Sequence, residues 1–214
     1  MSEPGIAPLG DRALTITWPG GISSATHRLV RAAARRLREA HPPLVMDLVP
    51  SYTTLSVFYD ARVHDFAALS ARVLDLIANL GPEPALSGRE VIIPVTYDGP
   101  DLAAVAQQTG LSVPEVVSRH SARVYDVYLV GFAPGWAYLG ELDPALVLPR
   151  RPAPRTRVPA GSVAIAGAQT GVYPFAIPGG WHLIGRTDRV MFDPSQTPPA
   201  LLQVGDRVRF EARR

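Results

Sequence analysis

Apolar and polar residues alternate from Arg12 to Trp18, with Leu14, Ile16 and Trp18 on one side, and Pro19-Gly20-Gly21 ends the run. That pattern predicts a half-buried strand followed by a turn. A helix should follow: Ser23 or Ser24 can cap it, Leu29, Ala33 and Leu37 share one face, and Arg28, Arg31, Arg35 and Arg38 make a solvated stripe. Leu44 to Val49 and Thr54 to Tyr59 read as two strands around Pro50-Ser51-Tyr52. Phe66, Leu69, Val73, Leu76 and Leu80 then fall at helical spacing, ending before Gly81-Pro82. With Glu90 to Val95 as a further strand the order is β-α-β-β-α-β, a ferredoxin-like arrangement with both helices on one face of an antiparallel sheet. The boundary is expected near Gly88, inside the Gly-Pro-Glu-Pro linker region, giving an α+β domain over 1–88 and a second, mainly β domain over 89–214.

In that second half, 101–109 predicts a short helix closed by Gly110, and Ser112-Val113-Pro114-Glu115 has capping-box spacing for another ending near His120. The remainder is mostly short strands, at 125–130, 162–166, 182–185 and 207–211, with Gly/Pro turns at intervals that suit a small closed barrel.

Between Val130 and Thr187 the chain carries 9 of its 18 glycines, interleaved with prolines, arginines and aromatics. Glycine permits positive φ and close backbone approach, and proline fixes φ, so this segment is expected to form an ordered, irregular binding surface. Phe132, Trp136 and Tyr138 should line a pocket or plug the barrel end. The segment from Pro149 to Arg157 is extended by its prolines and is either a solvated linker or an anion clamp, with Arg157 the favoured clamp residue. From Trp181 to Arg186, strict alternation would put His182, Ile184 and Arg186 on one face, suited to an anionic ligand or to acid–base chemistry. Gln169 can donate and accept at once, as recognition of an amide requires.

Composition removes several chemistries. The chain has neither lysine nor cysteine, so all 21 basic side chains are arginine. Attached biotin, a Schiff base, a phosphate-loop lysine, thiol nucleophiles and disulfides are therefore excluded on this chain. A net charge of +2 does not suggest nucleic acid, no apolar run approaches a membrane span, and no signal-peptide pattern opens the chain, so a soluble cytoplasmic protein is expected. His27, His41, His64 and His120 are scattered without metal-ligand spacing, and no Gly-x-Ser-x-Gly elbow exists.

The runs Tyr125-Asp126-Val127-Tyr128-Leu129-Val130-Gly131-Phe132-Ala133-Pro134-Gly135, Pro159-Ala160-Gly161-Ser162-Val163, Gln169-Thr170-Gly171-Val172-Tyr173-Pro174 and Pro178 to Thr187 together resemble the KipI family. Leu9 to Leu14 and Val49 to Leu55 extend the match nearly to the chain start. That family includes the B subunit of bacterial 5-oxoprolinase, is also called allophanate hydrolase subunit 1, and resembles the first half of the urea carboxylase carboxyltransferase domain, subdomains C and D. Two departures stand out: Trp136 replaces an expected phenylalanine, and Thr96 stands where cysteine is common.

The resemblance implies an α/β amino-terminal domain followed by a cyclophilin-like β-barrel. It also implies work with two partners, the homologous C subunit and the A subunit, to open 5-oxoproline to glutamate at the expense of ATP, for which the sequence identifies no site on this chain. Within these motifs His182 and Arg186 are the candidate catalytic residues, and Arg157, Gln169, Tyr173 and Trp136 the candidate substrate contacts. In that scheme Arg157 or Arg186 holds a carboxylate or phosphoryl group, Gln169 reads the lactam amide, and His182 relays a proton. Competing readings are inhibition of a sporulation histidine kinase, as the name KipI denotes, carboxyl transfer with a separate biotin carrier, and prolyl isomerisation suggested by the barrel class alone.

Overall fold

The computed structural model describes residues 4–40, 45–63, 65–78, 80 and 88–213. The expected linker Gly81-Pro82-Glu83-Pro84, with His41 and His64, lies outside them. The chain divides into two compact units, Met1–Leu86 and Ser87–Arg214.

In the first unit β1 (Gly5–Pro8) and β2 (Ala13–Thr17) form a hairpin. α1 (Ser24–Ala40), β3 (Asp47–Pro50), β4 (Thr54–Phe58) and α2 (Phe66–Ile77) follow. The Ser23 hydroxyl accepts the Thr26 amide at 3.1 Å, and Asp65 accepts that of Ala68 at 2.7 Å, so each helix begins on a side-chain cap. The sheet order is β1-β2-β4-β3, antiparallel throughout. Leu14, Ile16, Leu55 and Val57 from the sheet pack with Val30 and Leu37 of α1 and Leu69 and Val73 of α2. This is ββαββα, not the expected ferredoxin-like order. The short β1 ends in proline and shows no alternation to announce it, and the strand at 90–95 belongs to the other unit.

That strand, β5 (Glu90–Val95), opens the second unit. It is followed by α3 (Leu102–Thr109), α4 (Val113–Ser121), β6 (Val124–Val130) and β7 (Ala137–Gly140). Next come β8 (Arg155–Val158), β9 (Ser162–Ala166), β10 (Gln169–Val172), β11 (Ile177–Gly179), β12 (His182–Arg186) and β13 (Arg207–Ala212). Seven strands run β12-β9-β10-β7-β6-β13-β5, with β5 parallel to β13 and the other pairings antiparallel. The two edges meet where Thr96 and Arg186 exchange backbone hydrogen bonds of 2.9 Å each, so the sheet nearly closes into a barrel. Thr96 makes this contact with its backbone, so a thiol at that position is not needed for closure. β8 and β11 form a separate two-stranded ribbon.

The barrel interior is solid. Ile93, Val127, Leu139, Ile165, Val172 and Phe210 are within 1% of full burial, each worth roughly 1.5–3 kcal/mol relative to exposure. One polar chain crosses this core. His120 Nδ1 lies 2.7 Å from the Tyr97 hydroxyl and Nε2 lies 2.8 Å from Thr170 Oγ1, while Thr170 donates to the Ala164 carbonyl at 3.0 Å. Since the threonine proton is committed, His120 donates through Nε2 and accepts from Tyr97 through Nδ1. Its ring packs 5.5 Å from that of Tyr125 and 4.6 Å from that of Phe210, centre to centre. Burial pushes its pKa down to about 3. No helix among the described residues is long and apolar enough to cross a membrane.

Candidate functional site

An aromatic-lined hollow that could hold a ligand lies on the outer side of the barrel wall. Val163 and Ile165 of β9 point into the filled core, and period-two alternation turns Ala164 and Ala166 the other way. On β10, Gly171 pairs with Ala164 and shares its outward face. These small residues leave room for a large ring, and Trp136 occupies it: a Cβ at Gly171 would stand 3.0 Å from the Trp136 ring and 2.9 Å from the Ala137 carbonyl. The tight turn from Gly131 to Trp136 delivers the indole, with the Gly131 amide bonded to the Trp136 carbonyl at 3.1 Å and Trp136 N to Ala133 O at 3.0 Å. Phe132 in that turn has φ +74°, a strained conformation for a bulky residue, yet the residue remains 68% exposed.

Four rings surround the indole: Tyr173 at 4.7 Å, Trp181 at 5.0 Å, Tyr138 at 5.6 Å and Phe132 at 5.9 Å between centres, all edge-to-face. These aromatics and Arg150 line a cavity of about 320 Å³, completed by Pro154 and by Pro178-Gly179-Gly180. Trp136 Nε1 is buried and has no hydrogen-bond partner among the described residues. The Tyr173 hydroxyl sits so close to Gly179 that a Cβ there would lie 2.0 Å from it. Burial raises the Tyr173 phenol, while the Trp181 amide and the charges of Arg150 and Arg155 pull the other way.

A buried carboxylate positions this wall. Asp101, 5% exposed, stands where a helix cap would be expected but makes no cap bond. Its Oδ1 accepts from Arg151 Nη1 and Arg155 Nη2, each at 2.8 Å, and its Oδ2 accepts the Leu183 amide at 2.7 Å. Burial alone would raise its pKa, but the Arg155 and Leu183 hydrogen bonds and both guanidinium charges outweigh this and hold the carboxyl below its ordinary value. The Arg151 amide also bonds to the Gly180 carbonyl at 2.8 Å. The arginine-rich segment is thus neither a free linker nor an open clamp: two of its guanidiniums are tied down by Asp101, and Arg150 faces the cavity.

Of the six residues expected from the sequence, Trp136 and Tyr173 meet at this cavity. His182, 6% exposed, donates from Nε2 to the Pro149 carbonyl at 2.9 Å. Arg186 lies at the barrel seam, its side chain 65% exposed, with Nε donating to Asp98 Oδ2 at 2.8 Å. These two do not share a face, because His182 pairs with Ile165 and Arg186 with Ser162, three residues apart on β9. The register shifts between Leu183 and Gly185, and the extra residue reverses the alternation. The cause is a close backbone approach: Gly99 and Asp101 donate to the carbonyls of Ile184 and Leu183, and a Cβ on Gly99 would lie 2.3 Å from the Leu183 oxygen. Gln169 pairs with Ala166 at the far end of β9, about 13 Å along the strand from the level of Arg186. Arg157 is exposed on β8. A single hollow gathering Gln169, His182 and Arg186 therefore does not form. The sequence pattern favours Arg157 over Arg150 and marks Asp101 only as a helix start, and no signal in it corrects either. Among the described residues no three metal-ligating side chains cluster.

The family described as carboxyltransferase domain, subdomain C and D, matches residues 4–202. Over 218 aligned residues the chain is 40% identical to the 5-oxoprolinase B subunit of Bacillus subtilis, covering 96% of this chain and 91% of the relative. It is 42% identical over 208 residues to the 5-oxoprolinase B subunit of Haemophilus influenzae, covering 96% of each. Among solved structures, TTHA0988 superposes with a TM-score of 0.83 at 43% identity; the match covers 95% of this chain but only 40% of that longer one. The urea amidolyase of K. lactis superposes with a TM-score of 0.79 at 14% identity, over 98% of this chain and 15% of that one, which shows a shared fold.

Proposed function

The chain belongs to the carboxyltransferase-domain family, subdomains C and D, with 5-oxoprolinase B subunits among its relatives, and we propose that it serves as the B subunit of an ATP-dependent 5-oxoprolinase. Its partners in this reading are the homologous C subunit and the A subunit, its barrel is of the cyclophilin-like class, and, relying on ATP, it works in the cytoplasm. The observation that supports a substrate role on this chain is the aromatic cavity with one guanidinium in its wall. 5-Oxoproline is a flat five-membered lactam bearing one carboxylate. Aromatic walls cover its faces and exclude water, and the Arg150 fork matches its carboxylate.

Amide resonance makes the lactam carbonyl a poor electrophile. Transfer of the terminal phosphoryl group of ATP to the lactam oxygen removes that resonance and releases ADP. One water then adds to the carbon and the C–N bond breaks, giving γ-glutamyl phosphate; a second water releases glutamate and phosphate. The part assigned to this chain is to hold and orient the ring and to keep bulk water from its buried face.

Co-expression with the homologous subunits, followed by measurement of ATP-dependent glutamate release from 5-oxoproline, tests the reading. Turnover should require this chain and fall roughly 10- to 100-fold on Arg150→Ala, the range of a lost charge-assisted contact. Full turnover without the chain would overturn it.

A further inference from the structure

The charged and the buried polar side chains around the cavity are donors. Arg150 contributes a guanidinium with no acceptor atom. Trp136, 2% exposed, contributes its ring surface, its N–H being covered. Tyr173, 1% exposed, places its hydroxyl between Gly179 and Trp181, with its oxygen turned toward the Trp181 amide. That leaves the phenol proton for a ligand. Asp101, the carboxylate that holds Arg151 and Arg155 behind this wall, already accepts three hydrogen bonds and sits between two arginines. Two guanidiniums around one carboxylate leave this side of the cavity with a surplus of positive charge before Arg150 is counted.

We infer that the cavity is a carboxylate-selective recognition site, in which Arg150 and the Tyr173 hydroxyl together take the anionic end of a small flat ligand. This rests on the reading of the chain as a 5-oxoprolinase component and adds that the Tyr173 hydroxyl shares the carboxylate with Arg150 and sets the selectivity against neutral lactams. A wall whose side chains mostly donate favours a ligand rich in acceptor oxygens and penalises one whose carboxylate is replaced by a group that must donate. The lactam N–H meets no carboxylate or carboxamide side chain in this wall and is left to a group elsewhere in the complex. Tyr173 is the specificity-determining residue: its ring fills the aromatic wall, and its hydroxyl alone distinguishes it from phenylalanine.

Isothermal titration of the purified chain with 5-oxoproline, its neutral carboxamide and 2-pyrrolidinone tests this. 5-Oxoproline should bind roughly 10- to 100-fold more tightly than either neutral lactam, the range of a charge-assisted hydrogen bond. Tyr173→Phe should narrow that preference while leaving affinity for 2-pyrrolidinone within about twofold, because the stacking surface is retained. Equal affinity for the acid and its carboxamide, or a preference unchanged in both Tyr173→Phe and Arg150→Gln, would overturn the inference while leaving the chain's place in the oxoprolinase intact. Tight binding of acetate or a flat aromatic carboxylate, with no turnover of 5-oxoproline in the reconstituted complex, would instead retain the carboxylate site and defeat the oxoprolinase reading.

Discussion

Acidification should destabilise the second unit through His120. The imidazole is fully buried, accepts from Tyr97 and donates to Thr170, and its pKa is pushed down by burial from 6.5 to about 3. The unfolded chain takes up a proton below pH 6.5 that the folded protein refuses until about pH 3, so stability falls as pH drops through that window. The tyrosine phenols that pack around it, Tyr97 and Tyr125, are raised by burial and stay neutral over this range. At 1.36 kcal/mol per pH unit, the 1.5 units between pH 6.5 and pH 5.0 amount to about 2 kcal/mol. Gln can replace both hydrogen bonds without titrating, so His120→Gln is the appropriate comparison. Urea unfolding of both proteins at pH 7.5 and 5.0, followed by tryptophan fluorescence in a shared Trp18→Phe background, reports the second unit, since Trp136 and Trp181 both lie there. The parent should lose about 2 kcal/mol more than the variant between the two pH values. Parallel losses would show that His120 is not excluded from protonation in the folded barrel.

Asp101→Asn keeps the shape but leaves two guanidiniums facing a neutral amide, and should cost about 2–4 kcal/mol in thermal or urea unfolding at neutral pH. Because the folded carboxyl titrates below its ordinary value, this contribution is present above the unfolded pKa and disappears as pH falls through the folded one; an unchanged melting temperature at pH 7 would refute the clamp. Gly179→Ala forces a methyl group onto the Tyr173 hydroxyl and should cost about 1–3 kcal/mol and weaken 5-oxoproline binding, both measurable on the purified chain. Phe132→Gly relieves the left-handed strain and sacrifices little burial, so stability should hold or rise by about 1 kcal/mol while ligand affinity falls. A clear drop in melting temperature for this variant would mean that the ring serves the fold.

Much of the architecture is written in local pattern. Leu14, Ile16 and Trp18 mark a strand by alternation, Leu69 and Val73 mark a helix by spacing, and Ser112 with Glu115 marks a helix start whose capping box forms as expected. The glycine-rich region is legible as an ordered, irregular segment, and Trp136 and Tyr173 within it do meet at a cavity. His182 and Arg186 defeat strict alternation because the register shifts between Leu183 and Gly185. Arg150, Arg151 and Arg155 look alike, since nothing in their spacing tells which guanidinium a carboxylate 50 residues upstream will claim.

The chain's own order of residues was enough to settle which segments coil, which extend, which chemistries are missing and which family the motifs join, because each depends on neighbours a few positions apart. Tertiary structure alone decided that β5 crosses to the barrel, that Asp101 reaches Leu183, Arg151 and Arg155, and that the cavity opens on the outer wall. Those outcomes turn on which distant backbones approach closely enough to hydrogen-bond, as Gly99 N–H does to the Ile184 carbonyl and Thr96 and Arg186 do in both directions. Alternation reports that a face is buried; only the packed chain determines what buries it.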